Sequence, residues 1–280
     1  MDRARSDASA LIDLVRRVDH DRYLCALFAP PERRPALFAL IAFNHEIARA
    51  REAVSEPMLG QIRLQWWRES IEGIYGGTVR RHEVVEPLAD AVEQHGLSRA
   101  SFDALIDARE RDFDDAPMAD LAALEAYAEA TAAPLAALTV EALGERECEA
   151  ARCAATAFAL VGLMRAVPFH AARSRLYLPA DRLAAHGLSA AEALSGRFSA
   201  PLGAVIGEVL GRAEQHLAAA RSAMTAAPRA ARPALLPGRL AAMHRARLAA
   251  LGNNPYDPRA TIGPLRRQLG LLIANLSGRL

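Results

Sequence analysis

Apolar residues recur at intervals of three and four along almost the whole chain, and no stretch alternates apolar and polar over a strand's length. That period places them on one face of an α-helix, and the lack of period-2 runs argues against a sheet. Proline and glycine cut the pattern into pieces. A first helix is predicted through Leu11, Leu14, Val15 and Val18 towards Phe28, capped by Asp7 or Ser9. Ala29-Pro30-Pro31-Glu32 breaks it, and a proline-started second helix runs to about Val54. A third restarts at Ser55-Glu56-Pro57 and stops at Gly76-Gly77. Further helices are expected at 83–95, 98–113, 119–143, 147–167, 190–195, 201–225, 234–251 and 262–278. Residues 175–179 read as an extended connection, and 228–237 as a loop joining two helices. The expectation is a single all-α helical bundle over residues 1–280.

Composition narrows the function classes. The net charge is +1, so nothing draws the chain as a whole to nucleic acid. All 34 basic residues are Arg, which in so alanine-rich a chain reflects base composition rather than guanidinium chemistry. No run approaches the roughly 20 apolar residues of a membrane span, so membrane contact is expected to be peripheral. The first residues are charged and no apolar run follows them, which argues against a secretory signal. Cys25, Cys148 and Cys153 lack zinc-type spacing and read as reduced core residues. These features together place the chain in the cytoplasm.

Several features invite a sharper reading. Asp112, Asp114 and Asp115 form the tightest acidic group, but they crowd a helix end before Pro117. An arginine-paired or solvated end is the expectation there. Trp66 and Trp67 cannot both face inwards from adjacent helical positions; one is assigned to the core and the other to a neighbouring helix or a partner. His45, His170 and Glu52 have the composition of a transition-metal site only if they converge in space.

The most informative segments are Phe38-Ala-Leu-Ile-Ala-Phe-Asn-His-Glu-Ile-Ala-Arg-Ala-Arg-Glu52, Leu64-Gln-Trp-Trp-Arg-Glu69 and Ala159-Leu-Val-Gly-Leu-Met-Arg-Ala-Val-Pro-Phe-His170. The last leads into Arg173-Ser-Arg-Leu-Tyr-Leu-Pro179. In these blocks, in this order, the chain resembles the squalene/phytoene synthase family from about Tyr23 to its end. The resemblance implies the isoprenoid (trans-prenyl diphosphate) synthase fold. It also implies a reaction in which two prenyl diphosphates are joined head to head while Mg²⁺ screens the departing diphosphate. Active members hold that metal with two acidic motifs, which fall here on positions 48–52 and near 166 and 170. The residues present are Ala48, Arg49, Ala50, Arg51 and Glu52, then Ala166 and His170. Guanidinium cannot bind Mg²⁺ and imidazole binds it poorly. The chain is therefore read as catalytically silent, with no catalytic residue, no metal and no cofactor. Mg²⁺ enters only under the alternative of an active prenyltransferase.

Ala42-Phe-Asn-His-Glu46 and Leu163-Met-Arg-Ala-Val-Pro-Phe-His170 are also similar to the aspartate-poor branch of that family, which includes a mitochondrial assembly factor for respiratory complex I. The resemblance implies protein partners in respiratory complex assembly, at or near an inner membrane, and a start at the first helix suits a bacterial relative. Arg49, Arg51, Arg165, Arg173, Arg175 and Tyr177 are candidates for an anionic headgroup, with a prenyl or other lipid tail in the inherited cavity. Ordinary ion-paired or solvated arginines are the competing reading for each.

Overall fold

A computed structural model describes every residue except Met1, Ala53, Val54 and Ser55, and no side chain among residues 2–8 or at 57. The chain divides into two compact units. The first comprises Met1–Asp114, Ala133–Ala151 and Ala227–Ala234; the second comprises Asp115–Ala132, Arg152–Ala226 and Leu235–Leu280. Among the described residues every regular element is helical, as the periodicity requires.

In the first unit the order is α1 (Asp2–Val18), α2 (His20–Ala26), α3 (Arg34–Ala48), α4 (Pro57–Tyr75), α5 (Val85–His95) and α6 (Arg99–Ala108), followed by a 3₁₀ turn over Arg109–Phe113. The single first helix expected from the sequence is two. It starts at Asp2, ahead of the expected caps, and breaks at Asp19, whose carboxylate accepts the Arg22 N–H at 3.0 Å and starts α2. Helix α3 ends at Ala48, not near Val54, and residues 53–55 lie outside the described part. The third helix starts at Pro57 and ends against Gly76 as expected; Gly77 takes φ +78°, which a side chain would resist.

The core of this unit is built round α3, which packs against α1, α2, α4 and α5. Residues 36–44 and Ile47 are all buried, because an apolar sequence with no polar stripe must be covered on every side. Phe43 meets Trp67 and Phe102 edge-on, each at 5.3 Å between centroids. Trp67 is the core member of the tryptophan pair, while Trp66 is half-buried against His82 and Arg80. Polar ties close the periphery: the Tyr75 hydroxyl donates to the Leu97 carbonyl at 2.6 Å, and Arg33 donates to the Ala142 carbonyl at 3.2 Å.

The chain passes from one unit to the other inside α7 (Leu121–Ala142), α8 (Glu149–Arg165) and, later, α13 (Arg232–Ala249). Between them come α9 (Val167–Ala171), α10 (Ala180–Ala185), α11 (Ala190–Ala193) and α12 (Ala200–Ala223); α14 (Pro264–Ser277) is last. The Ser199 hydroxyl caps α12, and Leu202, Val205, Ile206, Val209, Leu210, Ala213 and Leu217 line its inner face at helical spacing. They pack on Leu124, Ala128, Leu160, Val161 and Met164. At Gly238 a Cβ would stand 2.8 Å from the Ala154 Cβ, so glycine there lets α13 lie directly on α8.

Three sequence expectations need correction here. The loop expected at 228–237 is shorter, because α13 begins at Arg232 and carries Pro237 inside it. The helix expected at 147–167 is interrupted at Ala166, where Pro168 starts α9. Helix α10, led by Pro179, was not anticipated; it follows the extended connection that was.

Candidate functional site

The two segments where the family resemblance places acidic motifs belong to different units. In the first unit Ala48 ends α3, Arg49 is its C-cap, and Arg51 and Glu52 follow in a turn. Ala48 offers no oxygen. Glu46, two residues before the sequence candidates, carries a carboxylate that is claimed twice. Its Oε1 lies 3.6 Å from Arg49, and its Oε2 accepts from Arg63 on α4 at 3.1 Å. The Arg49 side chain is 45% exposed, so the pair is a weak, partly solvated one. The Glu46–Arg49 spacing of three was readable in the sequence; Arg63 required the tertiary fold. Beside them, burial pushes the His45 imidazole below its ordinary pKa of 6.5, outweighing the opposing pull of Glu46.

In the second unit Ala166 is the N-cap of α9 and again offers no oxygen. His170 stands where an acid is expected. A tight turn follows, with Ser174 at φ +55° and the backbone N–H groups of Arg173 and Arg175 both donating to the His170 carbonyl at 2.9 Å. That turn folds Tyr177 back onto the His170 ring, 4.7 Å between centroids, and against Tyr127 at 5.6 Å. Arg175 sits over Tyr177 at 5.6 Å, and Arg173 over Phe169 at 3.6 Å. The crevice left beside His170, Arg175, Tyr177 and Leu194 measures about 10 Å³, room for no more than about one water. Arg165, at the end of α8, is half-buried, and Arg173 is exposed. Of the four headgroup candidates here, Arg175 and Tyr177 meet, Arg173 turns to Phe169, and Arg165 belongs to the preceding helix.

A divalent cation needs several oxygen ligands. The first segment offers Ala48, a Glu46 tied to two arginines and the single carboxylate of Glu52, and the second offers Ala166 and an imidazole packed against Tyr177; neither set fits one. Among the described residues, no group of three or more His, Cys, Asp and Glu side chains is placed to hold a metal ion. Of the transition-metal candidates, His45 and Glu52 lie in the first unit and His170 in the second. The acidic cluster behaves as expected of a helix end: Asp112 pairs with Arg109 at 3.6 Å and Asp114 with Arg111 at 2.9 Å.

A larger cleft, about 1340 Å³, opens within the first unit. Leu11, Tyr23, Leu27 and Phe38 are among its apolar lining, and Arg34, Arg81, Glu83, Glu86 and Asp90 are its charged lining. Three acids against two arginines give no preference for an anionic headgroup, and neither Arg49 nor Arg51 takes part. Among the described residues no helix is long and apolar enough to cross a membrane.

Comparison with known proteins agrees with the fold. Over 228 residues the chain is 35% identical to NADH dehydrogenase (ubiquinone) complex I, assembly factor 6, of Homo sapiens, covering 80% of this chain and 68% of that one. It is 26% identical over 211 residues to presqualene diphosphate synthase of Rhodopseudomonas palustris, covering 74% and 75%. A crystal structure of a dehydrosqualene synthase in complex with ligand superposes with TM-score 0.83 at 15% identity, over 98% of this chain and 96% of the other. Squalene synthase HpnC from Alicyclobacillus acidocaldarius gives 0.78 at 20% identity, over 91% and 97%. At those identities the structural likeness speaks for the all-α isoprenoid synthase fold alone. Residues 15–268 match the squalene/phytoene synthase family along its length, and the chain belongs to that family.

Proposed function

We propose that this protein is a catalytically silent member of its family that acts with protein partners in assembling respiratory complex I, the NADH:ubiquinone oxidoreductase. The observation that carries the reading is the state of the first motif segment. Ala48 stands where a metal-binding acid is needed, Glu46 two residues before it is paired with Arg49 and Arg63, and Glu52 is left as the single carboxylate of the motif. One carboxylate is too few to seat the Mg²⁺ that would screen a departing diphosphate. The kinship with complex I assembly factor 6 of Homo sapiens supports the assembly role. The protein needs no cofactor under this reading. The arginine segments around Arg49 and Arg175 remain the places where an anionic lipid headgroup would be held.

One observation favours a second reading: the kinship with presqualene diphosphate synthase extends over 74% of the chain. That reading makes the protein a prenyltransferase joining two prenyl diphosphates. A single assay separates the two. Purified, folded protein is incubated with farnesyl and geranylgeranyl diphosphates and Mg²⁺, and released diphosphate and products are measured. No release above the protein-free control is expected; turnover would overturn the silent reading. Complex I content in a strain lacking the gene then tests the assembly role. The expected result is loss of the mature complex, restored by the intact gene; an unchanged level of complex would overturn it.

A further inference from the structure

Helix α14 has two apolar faces, and only one of them is covered. At about 100° per residue, Gly270, Leu271 and Ala274 share one side, and all three are buried. A Cβ on Gly270 would overlap the Met243 sulfur of α13, so the two helices lie in close contact. Beyond the helix end, Leu280 packs against Cys153, Ala154 and Ala220. The helix is therefore seated on its own unit, and its inner face has found its partners.

The opposite side carries Leu265, Leu269, Leu272, Ile273 and Leu276, exposed by 75%, 57%, 44%, 58% and 74%. Their spacing of i, i+4, i+7, i+8 and i+11 draws one stripe about 100° wide and about 16 Å long. Single exposed leucines are commonplace, but an unbroken stripe of this length marks a surface that something covers. Charge says what. From Ile262 to Leu280 the sequence holds Arg266, Arg267 and Arg279 and no acidic residue. Arg266 and Arg279 are exposed and bracket the stripe at its two ends. A second copy paired on this face through a two-fold axis would bring the exposed Arg266 and Arg279 of both copies onto one interface with no acidic residue from this segment, an arrangement that like charges oppose. An anionic lipid surface offers the complement to both features: acyl chains for the leucines and phosphates for the arginines.

We propose that α14 docks the protein flat onto an anionic lipid surface. The inference rests on this face alone and depends neither on catalytic silence nor on a role in complex I assembly. The test is flotation of the full chain with phosphatidylcholine vesicles, with and without phosphatidylglycerol. The full chain is expected to float with the anionic vesicles, and less so as salt rises. Combined Leu269→Gln, Ile273→Gln and Leu276→Gln substitutions should cut the vesicle-bound fraction at least about tenfold, with the far-ultraviolet circular dichroism unchanged. If the triple variant folds poorly, Leu276→Gln alone replaces it and should still weaken binding. Arg266→Ala with Arg279→Ala should weaken binding and flatten its salt dependence. Failure of the native chain to float with either vesicle, or equal flotation of native and triple-variant chains, overturns the proposal. So does a native dimer that ignores vesicles and that the triple variant returns to monomer, which would assign the stripe to a second copy.

Discussion

Helices α3 and α14 are both rich in leucine, isoleucine and alanine, yet one disappears into its unit and the other shows half its apolar surface to solvent. In α3 residues 36–44 form an unbroken buried run, with Phe43 fully covered by Trp67 and Phe102. No arc of that helix could face water without exposing large side chains, so neighbours close round it. In α14 arginine, glutamine and asparagine separate two apolar arcs. The arc with Gly270 and Ala274 fits closely against a neighbour; the arc with Leu265 and Leu276 is left out. Apolarity sets what a helix can bury, while the number and closeness of its neighbours set what it does bury.

Substitutions can break or sharpen that contrast. The largest effect is expected from Phe43→Ala, about 3–5 kcal/mol of stability in denaturant unfolding, because a fully enclosed aromatic leaves a cavity. Leu271→Ala on the covered arc of α14 should cost about 2–4 kcal/mol for the same reason. Its chain neighbour Leu272→Ala, on the open arc, should stay within about 0.5 kcal/mol of the native protein. A loss at Leu272 as large as that at Leu271 would mean that the open arc is covered in solution, and the contrast would fall.

A smaller effect belongs to the end of α3. Glu46→Gln should remove about 0.5–1 kcal/mol, discounted for the exposure of Arg49 and Arg63; a double-mutant cycle with Arg63→Ala reads the coupling directly. If the cycle gives no coupling, the ion pair does not hold that carboxylate, and Glu46 becomes available to a ligand. The smallest effect is a dependence on pH that comes from two histidines of the first unit. Burial lowers the folded-state pKa of His45 below 6.5. Burial and the Arg33 guanidinium do the same to His95, whose Nδ1 accepts from Arg33 at 2.9 Å. Each imidazole is favoured neutral in the fold, so its contribution is complete above the unfolded value. It is lost as pH falls through the lowered one. Unfolding midpoints should therefore decline as pH falls below about 6.5, and His45→Gln should reduce the slope; an unchanged slope would remove His45 from the account. Helix α14 carries no group that titrates in that range.

Much of this was legible in the residues. The α4 limits follow from Pro57 and Gly76, and the tryptophan pair divides as adjacent helical positions must. The acids from Asp112 to Asp114 lie at a helix end with arginines three residues earlier. The break at Asp19 was hidden because the apolar period continues across it, and only the side-chain cap reveals a new start. Helix α13 starts at Arg232, two residues ahead of the expected 234, and Pro237 sits inside it and not in the preceding loop. The motif positions could be located from the blocks around them. Their surroundings could not: Glu46 and Arg63 lie on different helices, and Tyr177 reaches His170 only because the chain turns at Ser174.

The sequence by itself determined the helical class, the punctuation of the helices and the loss of acids at positions 48 and 166, since these depend on residue identity and short-range spacing. Tertiary structure decided which carboxylate the arginines claim, how aromatic rings fill the space beside His170 and which arc of α14 stays open. Those outcomes turn on contacts between segments far apart in the chain, and hydrophobic period and charge count alone do not specify such contacts.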